Sequence, residues 1–159
     1  MNSKQPSQKE QKSNPNAFIY HEVFYKTNPA NPRAVKLMIE KANNWLVKIP
    51  GALEVKIGIP YDTGRAISAK DYDCVLKMAF KSSLEMQCYM QHPDHLKWVD
   101  WVLTGWMVKG SSLTTSQERH REFIEQVLHG KKAFEWTRDP QASEESIVWA
   151  GEKVYDYRA

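Results

Sequence analysis

The sequence YMQHPDHL, residues 89–96, decides how the second half of the fold is arranged. Its proline cannot continue a helix without losing a backbone hydrogen bond, so Pro93 predicts a break near His92 and a new helix after it. This kink turns His95 relative to Tyr89. Because imidazole titrates near neutrality, a histidine held beside a tyrosine is a candidate pair for moving protons.

The segments around this kink predict an α+β fold. Alternating apolar residues, with many β-branched and aromatic types, predict four strands over residues 18–26, 53–59, 71–80 and 147–157. Helical spacing after Asn31-Pro32, with Val35 and Met38 on the buried stripe, predicts a helix between the first two strands. Ser82, with Glu85 three residues later, starts a second. The order predicts a ferredoxin-like four-stranded antiparallel sheet with helices on one face.

The 159 residues fit one domain, because a chain of ~150 residues buries roughly two-thirds of its unfolded surface. Residues 1–16 are almost entirely polar and predict a disordered tail before a domain at 17–159. Between residues 104 and 146 a loop is followed by apolar residues at helical spacing after Thr115. This pattern predicts an inserted helix before the last strand.

Composition argues against several classes of protein. No apolar run approaches the ~18 residues of a membrane span. The net charge is +3, and the tail, with three lysines and one glutamate, accounts for +2 of it, so we expect no nucleic-acid partner. Cys74 and Cys88 lie inside apolar segments, which favours a reduced, cytoplasmic protein. Without a Gly-rich phosphate loop or a three-ligand metal spacing, we expect no cofactor and no metal.

A sheet with helices on one face leaves its other face to be covered. Val75 and Ala79 of the third strand are expected on that open face, together with apolar residues of the first strand. Pairing with a second copy would bury ~800 Å² per partner, a normal size for an interface. The sequence therefore predicts a homodimer.

Six short motifs, in this order and spacing, resemble the stress-responsive dimeric α/β-barrel (Dabb) family. They are His21-Glu22-Val23-Phe24-Tyr25-Lys26, Ile49-Pro50-Gly51, Gly58, Tyr72-Asp73, Tyr89-x-x-His92-Pro93-x-His95 and Val154-Tyr155-Asp156-Tyr157. The resemblance covers about residues 18–103 and 147–158, and the insertion at 104–146 has no counterpart in short members. It implies a ferredoxin-like protomer whose sheet joins that of a second copy in a barrel. It implies no shared reaction.

Polyketide cyclases of similar sequence need no cofactor and close a ring by aldol condensation. By this similarity, His95 would be the catalytic base, and Tyr89 would hold it or donate to the developing enolate oxygen. His21 would line the pocket, while a further pocket histidine of the cyclase is replaced here by Cys74. The ligand, a small aromatic or polyketide-like molecule, is therefore expected to contact His21, Tyr25, Cys74 and His92.

Structural interpretations of the same residues stay open at this point. His95 and Tyr89 could lock the kink, or contact a ligand without catalysis, and His92 could cap the new helix. His21 could be a core polar group with a satisfied hydrogen bond. His92 and His95 have a spacing seen in metal sites, but no third ligand accompanies them. Two functions remain: a cofactor-independent cyclase- or isomerase-like enzyme, and a non-catalytic, stress-related or ligand-binding dimer.

Overall fold

The computed structural model describes residues 17–66, 71–104, 106–108, 136–138 and 146–159, with only the backbone described for 106–108, 136–138 and 149–152. The strands are β1 (Ile19–Thr27), β2 (Leu53–Gly58), β3 (Cys74–Phe80), β4 (Trp106–Val108), β5 (Trp136–Arg138) and β6 (Val148–Arg158). The helices are α1 (Ala34–Lys41), α2 (Ser83–Gln91) and α3 (Pro93–Val102). The predicted tail at 1–16 and the predicted helix after Thr115 lie outside the described residues.

Four strands form one sheet in the order β2-β3-β1-β6, and every neighbouring pair is antiparallel. Helix α1 connects β1 to β2, and α2 and α3 follow β3. The two central strands are thus β1 and β3, as in a ferredoxin-like fold. The predicted α+β class and antiparallel sheet are confirmed.

One face of the sheet packs under the helices, and alternation along the strands decides which residues lie there. In β1 the buried side chains are Ile19, His21, Val23 and Tyr25, as predicted. In β3 they are Cys74, Leu76, Met78 and Phe80. Ala79, expected on the open face, is instead 0% exposed, because its larger cross-strand partners Tyr20 and Leu53 flank its methyl group.

Helix α1 differs in detail from the sequence prediction. It begins at Ala34, after the Asn31 side chain accepts a hydrogen bond from the backbone N–H of Arg33 at 3.3 Å. The five residues from 42 to 46 then continue with the wider π-helical hydrogen bonding. The buried residues fall at every fourth position, which are Ala34, Met38, Ala42 and Leu46. Val35, expected in this stripe, is only half-buried.

The start of β6 is tied to the end of β1 by Asn28. Its backbone N–H donates to Ile147 O at 2.9 Å and its side-chain amide to Ser146 O at 2.9 Å. Next to this contact, the β1–β6 pairing shifts register twice between Phe24 and Thr27. The extra residues lie on β6 between Val148 and Lys153, as in a β-bulge, and they set the register of the rest of β6.

A second, two-stranded sheet lies within the insertion. Strands β4 and β5 pair antiparallel, with Met107 opposite Thr137. The prediction of a loop just after residue 104 was wrong at β4, because a segment of three residues is too short to show an alternation pattern. Among the described residues, none of the helices combines the length and apolar character needed to cross a membrane.

Candidate functional site

The kink between α2 and α3 is built around His92. This residue has extended backbone angles, and its N–H donates to Tyr89 O at 3.1 Å, which closes α2. Its ring Nδ1 accepts from Asp94 N–H at 3.1 Å and caps α3, whose first residue is Pro93. Because Nδ1 accepts, the ring proton of neutral His92 is on Nε2. The predicted break is confirmed, and His92 has a capping contact; a ligand contact there stays a prediction.

His95 lies one turn into α3 and is buried, with 4% exposure. Its Nδ1 is 2.8 Å from Met90 O, and a carbonyl oxygen can only accept, so Nδ1 carries the proton. In the neutral ring, Nε2 is therefore the nitrogen that can take up a proton. The tautomer is opposite to that of His92. The backbone carbonyl of Met90 thus sets which atom of His95 can act as a base, a contact that the sequence pattern does not reveal.

Tyr89 contacts the His95 ring directly. The centroids of the Tyr89 and His95 rings are 4.5 Å apart. The centroid of the Phe80 ring, on the sheet, is 5.1 Å from that of Tyr89. Tyr89 is 1% exposed, and this burial raises the pKa of its phenol. The hydroxyl stays protonated at neutral pH, so Tyr89 is equipped to donate a hydrogen bond rather than to act as a phenolate base.

A second imidazole is held by a carboxylate. His21 Nδ1 is 2.5 Å from Asp156 Oδ1, and the two residues are direct partners in the β1–β6 ladder. The His21 side chain is 9% exposed and that of Asp156 is 48% exposed. The carboxylate accepts from Nδ1, so Nε2 of neutral His21 is also a base. Asp156 was not predicted as a site residue. The available signal was its alternation with Val154, together with the antiparallel pairing of the last strand with the first.

The cross-strand register places His21, Tyr89 and His95 at the same end of the sheet. His21 lies in one row of paired residues with Met78, and the next row pairs Ile19 with Phe80. Tyr89 and His95 pack over that next row, because the Tyr89 ring lies on Phe80. Two imidazoles, each with a proton on Nδ1, and a neutral phenol thus belong to neighbouring rows of the helix-covered face.

Tyr25 and Cys74 are paired with each other further along the sheet. Tyr25 lies four residues beyond His21 along β1, a distance of about 14 Å at the rise of a strand, and Cys74 lies opposite Tyr25 on β3. The Tyr25 hydroxyl accepts from Trp98 Nε1 at 3.4 Å. Cys74 is 0% exposed, and burial, with the nearby charge of Asp73, raises its pKa to about 12. Its thiol is not a nucleophile at neutral pH, and a ligand contact at this end stays a prediction.

Within the ranges that the structure describes, no group of three or more His, Cys, Asp or Glu side chains could hold a metal ion. The arrangement offers acid–base chemistry instead: two candidate bases at Nε2 atoms and one neutral hydroxyl donor.

A family model described as the Stress responsive A/B Barrel Domain (Dabb) matches residues 19–107, more than half of the chain. The chain belongs to the Dabb family. The match ends inside β4, so most of the insertion lies outside the Dabb domain. The family resemblance is confirmed over the first five motifs, whereas the sixth, at residues 154–157, lies outside the matched residues. No curated protein matches the chain.

The solved structures that are similar to this Dabb chain include three that differ in organism and description. One is a dimeric ferredoxin-like protein of unknown function from Thermobifida fusca, with 20% identity and a TM-score of 0.45, covering 53% of this chain and 76% of that one. Another is a Dabb family protein with a ferredoxin-like fold from Mesorhizobium loti, with 25% identity and a TM-score of 0.44, covering 52% and 79%. The third is the hydroxynitrile lyase from Passiflora edulis, with 16% identity and a TM-score of 0.47, covering 53% and 79%.

Proposed function

We propose that this Dabb protein is a homodimer that binds a small aromatic or polyketide-like molecule and catalyses cofactor-independent proton transfer, as a cyclase or isomerase does. One observation carries the proposal. His21 and His95 each donate from Nδ1 to a fixed acceptor, so each neutral ring directs its basic Nε2 away from that acceptor. A ring whose tautomer is fixed in this way is prepared to take up a proton from a bound molecule.

In the proposed reaction, His95 Nε2 removes a proton from a carbon next to a carbonyl group. The electrons of the broken C–H bond move to the carbonyl oxygen, and the neutral hydroxyl of Tyr89 donates a hydrogen bond to the enolate that forms. His95 Nε2 then returns this proton to a second carbon, which completes an isomerisation. Where a second proton has to be removed, the Nε2 atom of His21, held by Asp156, accepts it. A positioned general base of this kind contributes roughly 10²–10⁴-fold in rate.

The test is exchange of protons next to the carbonyl of aryl ketones and aryl 1,3-diketones in D₂O, followed by ¹H NMR with the full chain. His95→Gln keeps a polar side chain of similar length and removes the base, so the rate should fall about 100-fold. Lys97→Gln is the matched control on the same helix, because the Lys97 side chain is 62% exposed. A wild-type rate equal to that of buffer, or an unchanged His95→Gln rate, would contradict catalysis.

A non-catalytic dimer is the second candidate, and the packing of His95 favours it. The ring lies on Tyr89 and bonds to Met90 O, and both contacts join α3 to α2 across the kink. Such contacts would pin the kink without any chemistry. This candidate is supported if the wild type binds aryl ketones without exchanging their protons, and if His95→Gln mainly lowers the melting temperature.

The homodimer is supported by the open face of the sheet, which is the face opposite the helices. It carries an aromatic cluster: Tyr20 stacks on Tyr157 at 5.4 Å, and Phe24 meets the edge of Tyr155 at 5.7 Å. Tyr155 is 53% exposed and Tyr157 is 40% exposed. Exposed rings in such a cluster are typical of an interface. We also assign the protein to the cytoplasm, because Cys74 and Cys88 are both free thiols.

Analytical ultracentrifugation of two variants tests the dimer. Tyr155→Lys places a charge in the open face and should shift the protein to monomer. Leu84→Lys is the control, since Leu84 is 69% exposed on helix α2, away from the open face. A wild-type monomer at micromolar concentration, or a Tyr155→Lys dimer as tight as the wild type, would contradict this interface.

A further inference from the structure

Arg158 projects from the same face of β6 as Asp156. In the ladder with β1, Arg158 is opposite Ile19 and Asp156 is opposite His21. Direct partners in an antiparallel pair point to the same side of the sheet, and Ile19 and His21 are both buried under the helices. Arg158 is therefore on the helix-covered face. It belongs to the row of paired residues Arg158, Ile19 and Phe80, and the Tyr89 ring packs on the Phe80 end of that row.

The backbone of Arg158 is held in place although it is close to the end of β6. The next residue, Ala159, exchanges two hydrogen bonds with Phe18, with N···O distances of 3.0 and 3.1 Å. The Arg158 side chain is exposed, and within the described part of the chain it forms no ion pair. A guanidinium on a fixed strand is thus available next to the His21–Asp156 pair.

The guanidinium of Arg158 is suited to binding an anionic group. Guanidinium binds a carboxylate through two parallel hydrogen bonds, with a planar geometry that an ammonium lacks. Asp156 alone would repel an anion, and Arg158 offsets that repulsion from the adjacent position on the same face. Two residues along a strand span roughly 7 Å, so one small aromatic acid can contact both positions.

We propose that the substrate or product of this site carries a carboxylate, and that Arg158 binds it while the rest of the molecule faces His21 and Tyr89. This inference rests on the proposed function, because it names the chemical class that the same site would take. It assigns Arg158 a role in specificity rather than in proton transfer, since the guanidinium stays protonated and cannot act as a base.

The experiment compares benzoate with benzamide, its uncharged counterpart of nearly equal shape. Binding is followed by NMR through the ring signals of the histidines and by calorimetry on the full chain. We expect benzoate to bind at least tenfold more tightly than benzamide, and Arg158→Gln to remove that preference while benzamide binding stays the same. Arg158→Lys should retain only part of the preference, because lysine cannot form the paired hydrogen bonds.

Lys153→Gln is the matched control for general charge effects. Lys153 is on the same strand but opposite Phe24, and so on the open face, with its ammonium 3.1 Å from Asp71. The Lys153→Gln variant should keep the preference for benzoate over benzamide. Equal binding of the two probes, no binding of either, or a preference that persists in Arg158→Gln would overturn the carboxylate assignment. If the carboxylate assignment fails but Arg158→Gln still exchanges ketone protons, the proposed proton transfer stands without the carboxylate assignment.

Discussion

Asp156 lies directly opposite His21 across strands β6 and β1, with its Oδ1 atom 2.5 Å from the Nδ1 atom of His21. The pair joins the edge strand β6 to the centre of the sheet through side chains as well as through the backbone ladder. It also selects Nε2 as the basic atom of His21. One carboxylate therefore affects both the stability of the strand pairing and the chemistry of the ring.

Asp156→Ala is expected to lower the free energy of unfolding by about 1 kcal/mol, because the mostly buried N–H of His21 loses its acceptor while water reaches the site only in part. Asp156→Asn keeps an acceptor oxygen and should lose less than half as much. Urea denaturation at neutral pH measures both. Asp71→Ala is the control, since Asp71 is exposed and its carboxylate pairs with the exposed Lys153. Equal stability of Asp156→Ala and wild type would show that the bond contributes nothing.

Tyr89 should tolerate loss of its hydroxyl but not of its ring. The ring packs against Phe80 and His95, whereas no hydrogen bond to its hydroxyl forms within the described residues. Tyr89→Phe is expected to change stability by less than about 1 kcal/mol, and Tyr89→Ala to cost about 3–5 kcal/mol through the cavity that it leaves. Thermal unfolding followed by circular dichroism distinguishes them. In the exchange assay, Tyr89→Phe should still be slower, because the enolate oxygen loses its donor.

Cys74 makes stability depend on pH on the alkaline side. Burial, and then the charge of Asp73, raise its pKa from 9.0 to about 12. Above pH 9 the unfolded chain releases the thiol proton while the folded chain retains it, so the contribution of Cys74 falls by about 1.4 kcal/mol per pH unit up to the folded pKa. The stability difference between wild type and Cys74→Ala should shrink over this range in chemical denaturation. Cys88→Ala, which removes an exposed thiol, is the matched control.

Asp73 makes stability depend on pH in the opposite direction, in the acidic range. Burial alone would raise its pKa, but hydrogen bonds from Thr27 N–H at 2.8 Å and from the Thr27 hydroxyl at 3.0 Å, with the charge of Lys26, hold it below 3.8. Its contribution is complete above pH 3.8 and is lost as the pH falls through the lowered pKa. Asp73→Ala should cost about 1–2 kcal/mol at neutral pH. The difference should vanish in strong acid, and one that persists there would contradict this account.

Much of the fold could be predicted because the informative residues act locally. Alternation along β1 placed His21 and Tyr25 on the buried face, and Pro93 marked the kink without any knowledge of tertiary structure. The π-helical turn at 42–46 could not be predicted, because its hydrogen bonds depend on packing that keeps every fourth residue buried. Strands β4 and β5 are too short for a pattern of their own.

The candidate site was harder to predict because it depends on register. The β1–β6 ladder shifts twice near Thr27, so the partner of His21 in β6 could not be obtained by counting back from the connection. The acceptor of His95 is a backbone carbonyl, which no side-chain pattern indicates. Tyr25 shares a face with His21, yet its strand position pairs it with Cys74, several residues from the imidazoles.

The joint at His92 and Pro93 has a consequence for how this protein can change over evolution. Tyr89 and His95 touch only because a single residue ends α2 and caps α3 between them. An insertion or deletion of one residue in this interval would rotate α3 by roughly 100° relative to the ring of Tyr89. The length of this interval therefore has to stay constant if the two rings are to keep their contact.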